Sequence, residues 1–289
     1  MTSNPKRIVD AHIHLWDPAR ADWYPYLGHL PQGGKGDPSR MHRRFDLETY
    51  RAESAKWNVE KVINVAAATG PNSVEETIEL DRNATANGGP DAIVGGLPKA
   101  DNIKEAIELI DRQMTAPRFR GVRPMVGGVT DAVPADEILR ALRERNLVFE
   151  LMAHPDQLLP AAKRLAGFDD LQVVVEHTGW PRSDSDDERV LWHEGIKALA
   201  GLGDNAACKL SGLAMPFESM APDALAPWLE PAIEAFGVDR CLFASNFPVD
   251  ATHGTFDDLY STFSAVTAGL DEPSRDKLFA GTAERIYRL

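Results

Sequence analysis

Three histidines lie at the carboxyl ends of predicted strands, where they could form one reaction centre. His12 and His14 are two residues apart, a spacing that puts both imidazoles on the same face of a strand. His177 closes another strand-like run, and the acid before it, Glu176, is predicted by alternation to point to the opposite face. A single histidine on a strand is often a core residue, but three such positions together indicate a site. Neutral imidazoles suit zinc or another borderline divalent ion.

The elements that must position these residues follow a regular order along the chain. Short apolar or β-branched runs alternate with helical patterns such as Ile103 to Met114, Glu137 to Arg145 and Leu225 to Phe236, which is typical of βα units. The eight predicted strands are Ile8 to His14, Val62 to Ala67, Ile93 to Leu97, Gly121 to Arg123, Val148 to Met152, Gln172 to His177, Ala206 to Leu210 and Cys241 to Ser245. Residues 1–289 are therefore predicted to form one α/β domain, a (β/α)₈ (TIM) barrel.

One connection is too long for an ordinary βα loop. The segment from Trp16 to Arg44 directly follows the first strand and is rich in Gly, Pro and aromatic residues. Active sites of such barrels lie on the loops at the carboxyl ends of the strands. We therefore expect this enlarged loop to form a lid or a pocket wall.

Composition restricts the class of partner. The 289 residues carry a formal net charge of -13, which disfavours binding to nucleic acid or to an anionic membrane surface. A small-molecule substrate is expected, and an oligomer is left open. The two cysteines, Cys208 and Cys241, read as reduced core residues. Neither a signal-peptide pattern nor an apolar stretch of about 18 residues is evident, so a cytoplasmic protein is expected.

Beyond these patterns, the chain resembles a known family from end to end. The resemblance rests on Asp10 to Asp17 (DAHIHLWD), Trp23 to Leu27 (WYPYL), Arg120 to Arg123 (RGVR), Glu176 to Pro181 (EHTGWP), Cys208 to Leu213 (CKLSGL) and Ser245 to Asp250 (SNFPVD). These motifs are similar to those of amidohydrolase-related barrels that include sugar-acid lactonases and pyrone-dicarboxylate lactonase. The resemblance implies hydrolysis of a lactone or another activated ester by water. In some members one divalent metal, zinc or manganese, takes part; others need none.

Arg123 matches the family arginine that can face a substrate carboxylate or ring oxygen, and its planar fork suits bidentate recognition. The additional arginines of dicarboxylate-specific members are not evident after Arg123 or after Leu213. This favours a neutral or singly charged lactone. Arg120 is predicted to turn away from Arg123, and Lys209 could be structural.

Asn246 is the main departure from the family pattern. Family members usually carry Asp there, where a carboxylate can bind the metal or take a proton from water. An amide can still orient water through its oxygen. The base could then have moved to Asp250 or to Glu150. A helix cap or loop acid is an equally ordinary interpretation of Asp250, whereas the strand position of Glu150 favours a paired structural acid.

Other side chains could line the site. His154 follows the fifth strand and could be a further ligand or substrate contact, whereas His29, His42 and His253 lie in loops and His193 in a predicted surface helix. Aromatic residues that could form pocket walls are Trp16, Tyr24, Trp180 and Phe247, although each could equally belong to the core.

Three functions remain open from the sequence. In the first, the His12, His14 and His177 cluster supports ring opening of a small lactone by water. The second is metal-dependent decarboxylation of an aromatic or unsaturated acid, for which Asp10 is a poor match to the acid commonly found on the first strand. The third is a ligand-binding barrel that lost catalysis together with the Asp replaced by Asn246.

Overall fold

Eight parallel strands form one sheet in which each strand pairs with the next along the chain. The computed structural model describes residues 4–29, 36–124 and 132–289. The strands are β1 (Ile8–Ile13), β2 (Val59–Val65), β3 (Ala92–Leu97), β4 (Phe119–Pro124), β5 (Val148–Leu151), β6 (Val173–Val175), β7 (Ala206–Leu210) and β8 (Cys241–Phe243). All eight predicted strands are present. β7 has the predicted bounds, and the ends of the other strands differ from the predicted ones by at most three residues.

The sheet closes through the residues that follow β8. The backbone nitrogen of Asn246 donates to His12 O at 2.8 Å, and that of His14 donates to Phe247 O at 2.8 Å. The Asp10 carboxylate strengthens this seam between β1 and the residues after β8, because it accepts a hydrogen bond from the Ser245 nitrogen at 2.8 Å. The predicted (β/α)₈ barrel is thereby confirmed.

The helices that surround the sheet owe their apolar faces to the 3.6-residue period. The described α-helices are α1 (Leu47–Glu53), α2 (Asn72–Asn87), α3 (Ile103–Gln113), α4 (Asp136–Glu144), α5 (Pro155–Leu165), α6 (Asp186–Ala200), α7 (Ala214–Phe217), α8 (Pro222–Phe236), α9 (Phe256–Val266), α10 (Glu272–Asp276) and α11 (Thr282–Tyr287). The three helices predicted by name are found as α3, α4 and α8. Within the described ranges, no helix is both long and apolar enough to cross a membrane.

Buried side chains inside the barrel meet the last helix. A cluster that includes Val9, Val148 and Ala207 packs with Ile286 and Tyr287 of α11. Alternation along β5 and β7 puts Glu150 and Lys209 on the same faces as Val148 and Ala207. The barrel interior therefore contains charged groups as well as apolar ones.

The enlarged loop after β1 is pinned at its base. Trp16 and Phe45 form an antiparallel bridge, with Trp16 N to Phe45 O at 3.0 Å and Phe45 N to Trp16 O at 2.9 Å. Between them lie two short 3₁₀ helices, Pro25–His29 and Pro38–Arg40. The predicted lid segment also includes residues 30–35, which lie outside the described residues.

Candidate active site

The three predicted histidines come together where strands β1 and β6 end. The Nε2 atoms of His12 and His14 are 3.2 Å apart, and the ring centroids of His12 and His177 are 4.7 Å apart. His14 Nδ1 lies 2.8 Å from Val65 O. Because a carbonyl only accepts, His14 Nδ1 carries the proton and Nε2 presents a lone pair when the ring is neutral. His177 Nδ1 is held 3.0 Å from Ser211 Oγ.

Burial keeps these imidazoles neutral. It is the main cause that lowers the pKa of His14 to about 3 and that of His177 to about 4, and it also places the pKa of His12 well below the usual value. Positive charge on Lys209 and Arg123 acts in the same direction on His12. Neutral rings near pH 7 can bind a metal ion or accept a proton.

Glu176 belongs to this cluster, so the prediction that it points to the opposite face is wrong. Its carboxylate oxygens lie 3.9 Å from His12 Nδ1 and 3.7 Å from His177 Nε2. Alternation fails here because β6 ends at Val175, and the backbone then turns left-handed at His177 (φ 51°) and Thr178 (φ 56°). Such φ values are costly for residues other than glycine and concentrate at functional sites.

The cluster has a donor set suited to a metal ion. His12, Glu176 and His177 each offer one ligand atom, and these atoms lie within 4.8 Å of one another. Two imidazoles and a carboxylate are a common protein ligand set for catalytic zinc. These residues could therefore hold a divalent ion.

Arg123 lies beside the cluster, but much of its hydrogen-bonding capacity is already used. Its Nε and Nη2 donate to Ala66 O at 3.1 and 2.7 Å, and its Nη1 donates to Glu176 Oε2 at 3.2 Å. Burial raises the pKa of Glu176, but the Arg123 guanidinium, together with His177, Glu150 and Lys209, outweighs burial and lowers the pKa of that carboxyl. Arg120, by contrast, donates to Tyr287 O at 2.7 Å and is turned away from Arg123, as predicted.

Glu150 is fully buried and has charged and polar partners. Lys209 Nζ lies 2.6 and 2.8 Å from its two carboxylate oxygens, and the Tyr287 hydroxyl donates to it as well. The same Nζ is 3.5 Å from His12 Nδ1. This placement favours the interpretation of Glu150 as a paired structural acid and puts a cation next to the histidine cluster.

Asn246 and Asp250 form a hydrogen-bonded pair next to the cluster. Asn246 Nδ2 donates to Asp250 Oδ1 at 2.8 Å. When Asp250 is ionised, its carboxylate only accepts hydrogen bonds, so the amide nitrogen of Asn246 faces it. The amide oxygen then remains as an acceptor for another group. Burial raises the pKa of Asp250 to about 7, against the lowering effect of this hydrogen bond.

A cavity of about 410 Å³ opens over these groups. Its polar lining includes His14, Thr69, Arg123, His177 and Asn246. The apolar lining includes Pro25, Ala67, Met152, Trp180, Met215 and Val249. Trp16 and Tyr26, from the enlarged loop, complete the described wall, so this loop supplies a pocket wall as the sequence predicts.

The remaining predicted site residues lie farther from the cavity. Phe247 is fully buried and packs edge-on against Phe256. His154 Nδ1 donates to Trp180 O at 2.9 Å, and its ring lies 4.7 Å from that indole, so His154 supports a wall residue. Tyr24 is buried and donates to Glu76 at 3.0 Å.

Three of the loop and helix histidines lie outside the cavity wall. His42 and His193 are exposed, the latter as predicted, and His253 is half-buried. None of these three is among the described residues that line the cavity. His29 is the last residue of the short helix Pro25–His29.

Known proteins resemble this chain over almost its full length. The family model described as amidohydrolase matches residues 9–289. A Sinorhizobium fredii protein named "Uncharacterized protein y4mH" is 31% identical over 298 residues, covering 98% of each chain. An L-fucono-1,5-lactonase of Burkholderia ambifaria is 27% identical over 294 residues, covering 97% of this chain and 95% of that protein. A crystal structure of a Burkholderia multivorans amidohydrolase with bound zinc has a TM-score of 0.81 at 24% identity, covering 98% of this chain and 99% of that one.

Proposed function

The chain belongs to the amidohydrolase family, and from that membership we propose that it is a hydrolase that opens a small lactone or a similar activated ester. The proposal is carried by one observation: His14 and His177 line a cavity whose size suits a small molecule, and the buried His12 lies directly against both rings. Distant relatives named as lactonases favour this reaction class over others.

In the proposed reaction, water attacks the lactone carbonyl above the histidines. The Asn246 amide oxygen accepts a hydrogen bond from this water, and Asp250 holds the amide in that orientation. We propose that Asp250 takes up a proton from this water and returns it to the ring oxygen when the acyl C–O bond of the lactone breaks, since Glu150 is committed to Lys209 and Tyr287. The Arg123 guanidinium, which lines the cavity, stabilises negative charge that develops on the carbonyl oxygen.

Metal participation is part of the proposal. His12, Glu176 and His177 would hold a divalent ion, with His14 Nε2 3.2 Å from His12 Nε2 as a further donor. A bound zinc or manganese ion would supply a lower pKa for water and a polarised carbonyl. The residues described above still bind the substrate, orient the water and exclude bulk solvent.

A screen of lactones and aromatic carboxylates, with and without added zinc or manganese, tests the proposal. Ring opening is followed by acid release in weak buffer, and decarboxylation by carbon dioxide release. Ring opening supports the proposal. Carbon dioxide release without ring opening would assign the decarboxylase alternative, and ligand-induced thermal stabilisation without turnover would assign a binding protein.

A further inference from the structure

The polar groups of the cavity are concentrated at one place. His14, Arg123, His177 and Asn246 belong to the proposed reaction centre, where they face the carbonyl and the water. Each of them also has a hydrogen-bond partner within the protein: Val65 O, Ala66 O, Ser211 Oγ and the Asp250 carboxylate, respectively. These four side chains therefore have little hydrogen-bonding capacity left for substituents elsewhere on a substrate.

The rest of the described wall offers few partners for hydroxyl groups. Thr69 Oγ1 donates to Trp23 O at 3.3 Å, and Tyr26 OH donates to Ala67 O at 3.0 Å. The other side chains there are those of Pro25, Ala67, Met152, Trp180, Met215 and Val249, whose only hydrogen-bonding groups are the indole nitrogen of Trp180 and the weakly accepting sulfurs of the two methionines. Methionine and aromatic walls adapt to flat, apolar ligands.

Resting on the proposed lactonase function, we propose that the substrate is an apolar lactone, of which an aromatic δ-lactone is the best fit, rather than a polyhydroxylated sugar-acid lactone. A hydroxyl of a sugar-acid lactone that met the apolar part of this wall would lose its hydrogen bonds to water without replacement. An apolar pocket disfavours an added hydroxyl by about 100-fold. The aromatic ring loses nothing on desolvation and gains contact area.

Rates on two lactones test the substrate class. We would compare kcat/KM for 3,4-dihydrocoumarin, an aromatic δ-lactone, with kcat/KM for D-glucono-1,5-lactone, each after correction for spontaneous hydrolysis. The expected ratio is about 100 in favour of dihydrocoumarin. A ratio below about 10, or a preference for the sugar lactone, would overturn the substrate class and leave the lactonase function standing.

Failure of the proposed function has a separate signature. If neither lactone is opened with or without zinc and manganese, the lactonase proposal fails. Ligand affinity then tests separately whether the cavity prefers apolar ligands. Quenching of tryptophan fluorescence by 3,4-dihydroquinolin-2-one, the lactam analogue, is then compared with quenching by D-gluconolactam. Binding of the aromatic lactam at least 10-fold more tightly supports an apolar cavity; equal, weaker or absent binding overturns it.

A wall substitution gives a further check that does not depend on the reaction centre. Met215→Gln keeps the length of the side chain and adds an amide to the wall. We expect the ratio of the two kcat/KM values to fall at least 10-fold. Met114→Gln, at an exposed position that is not among the described residues lining the cavity, should leave the ratio unchanged. An unchanged ratio for Met215→Gln would count against the assigned wall.

Discussion

Gly212 lies directly against the imidazole of His177. A Cβ placed on Gly212 would be 2.5 Å from both Cγ and Nδ1 of that ring, much closer than atoms in contact can approach. The backbone of Gly212 also has a φ of +69°. The glycine thus leaves room for His177 in its place beside Ser211.

Gly212→Ala is therefore expected to displace His177 and to lower kcat/KM by about 10² to 10⁴-fold, the usual contribution of a positioned acid–base group. Gly237→Ala is the matched control, because Gly237 has a φ of +76° and its Cβ would meet nothing within 4 Å. Both variants put a side chain at a positive φ, at a cost of about 1–3 kcal/mol each, so thermal unfolding is measured beside activity. Equal activity of the two variants would show that contact with His177 is unimportant.

Replacement of a histidine tests the reaction centre itself. His12→Ala and His177→Ala should each lower turnover by about 10² to 10⁴-fold. Circular dichroism and thermal unfolding should show that the barrel still folds. The assignment is contradicted if His12→Ala keeps near-normal activity on a substrate that the wild type turns over.

The pH–rate profile tests the acid. Burial raises the pKa of Asp250 to about 7, so below that pH the carboxyl holds its proton and cannot accept another. We expect kcat/KM to rise with pH through about 7 in the wild type, and Asp250→Asn to lower the rate and remove this rise. Glu150→Gln should retain the rise if it folds. Loss of the rise in Glu150→Gln alone would transfer the role of base to Glu150.

Asn246→Asp adds an anion next to Asp250. Like charges disfavour each other's ionisation, so the Asp250 pKa should rise further and the pH optimum should move upward. The wild type should already be active. If only Asn246→Asp turns over, the proposal that the amide suffices at this position is wrong.

Removal of one partner from the buried pair of Lys209 and Glu150 should destabilise the barrel. Lys209→Met leaves Glu150 buried without its cation, and breaking such a pair costs about 3–5 kcal/mol. The double variant Lys209→Met/Glu150→Gln removes both charges and should recover most of that loss. Urea unfolding measures both. No recovery in the double variant would mean that Lys209 acts through packing and not through its charge.

Arg123→Lys should lower kcat, because lysine keeps the charge but cannot donate to Ala66 O and Glu176 together, so it does not hold that charge at the carbonyl oxygen. Arg120→Lys, at a half-buried position of β4 that is turned away from Arg123, serves as the control. An unchanged kcat for Arg123→Lys would assign a purely structural role to this arginine.

Periodicity made the barrel and the meeting of His12, His14 and His177 predictable, because parallel strands bring their carboxyl ends to one face. Alternation assigns Glu176 to the wrong face, because it applies only within extended backbone. No residue pattern marks the left-handed turn at His177. The sequence likewise does not show which residues pair with Glu150. Lys209 and Tyr287 are 59 and 137 residues away from it, and pairing over such separations depends on the closed barrel.

The seam between Asp10 and Ser245 has a consequence for how the chain folds during synthesis. The two residues that form this hydrogen bond are 235 positions apart. At about 5–20 residues per second, a ribosome needs roughly 10 to 50 s to produce the second after the first. During that time β1 has one strand neighbour and an open edge, a feature that promotes association between chains. The nascent chain should therefore need protection by chaperones longer than a protein of equal size whose first strand pairs only with nearby sequence.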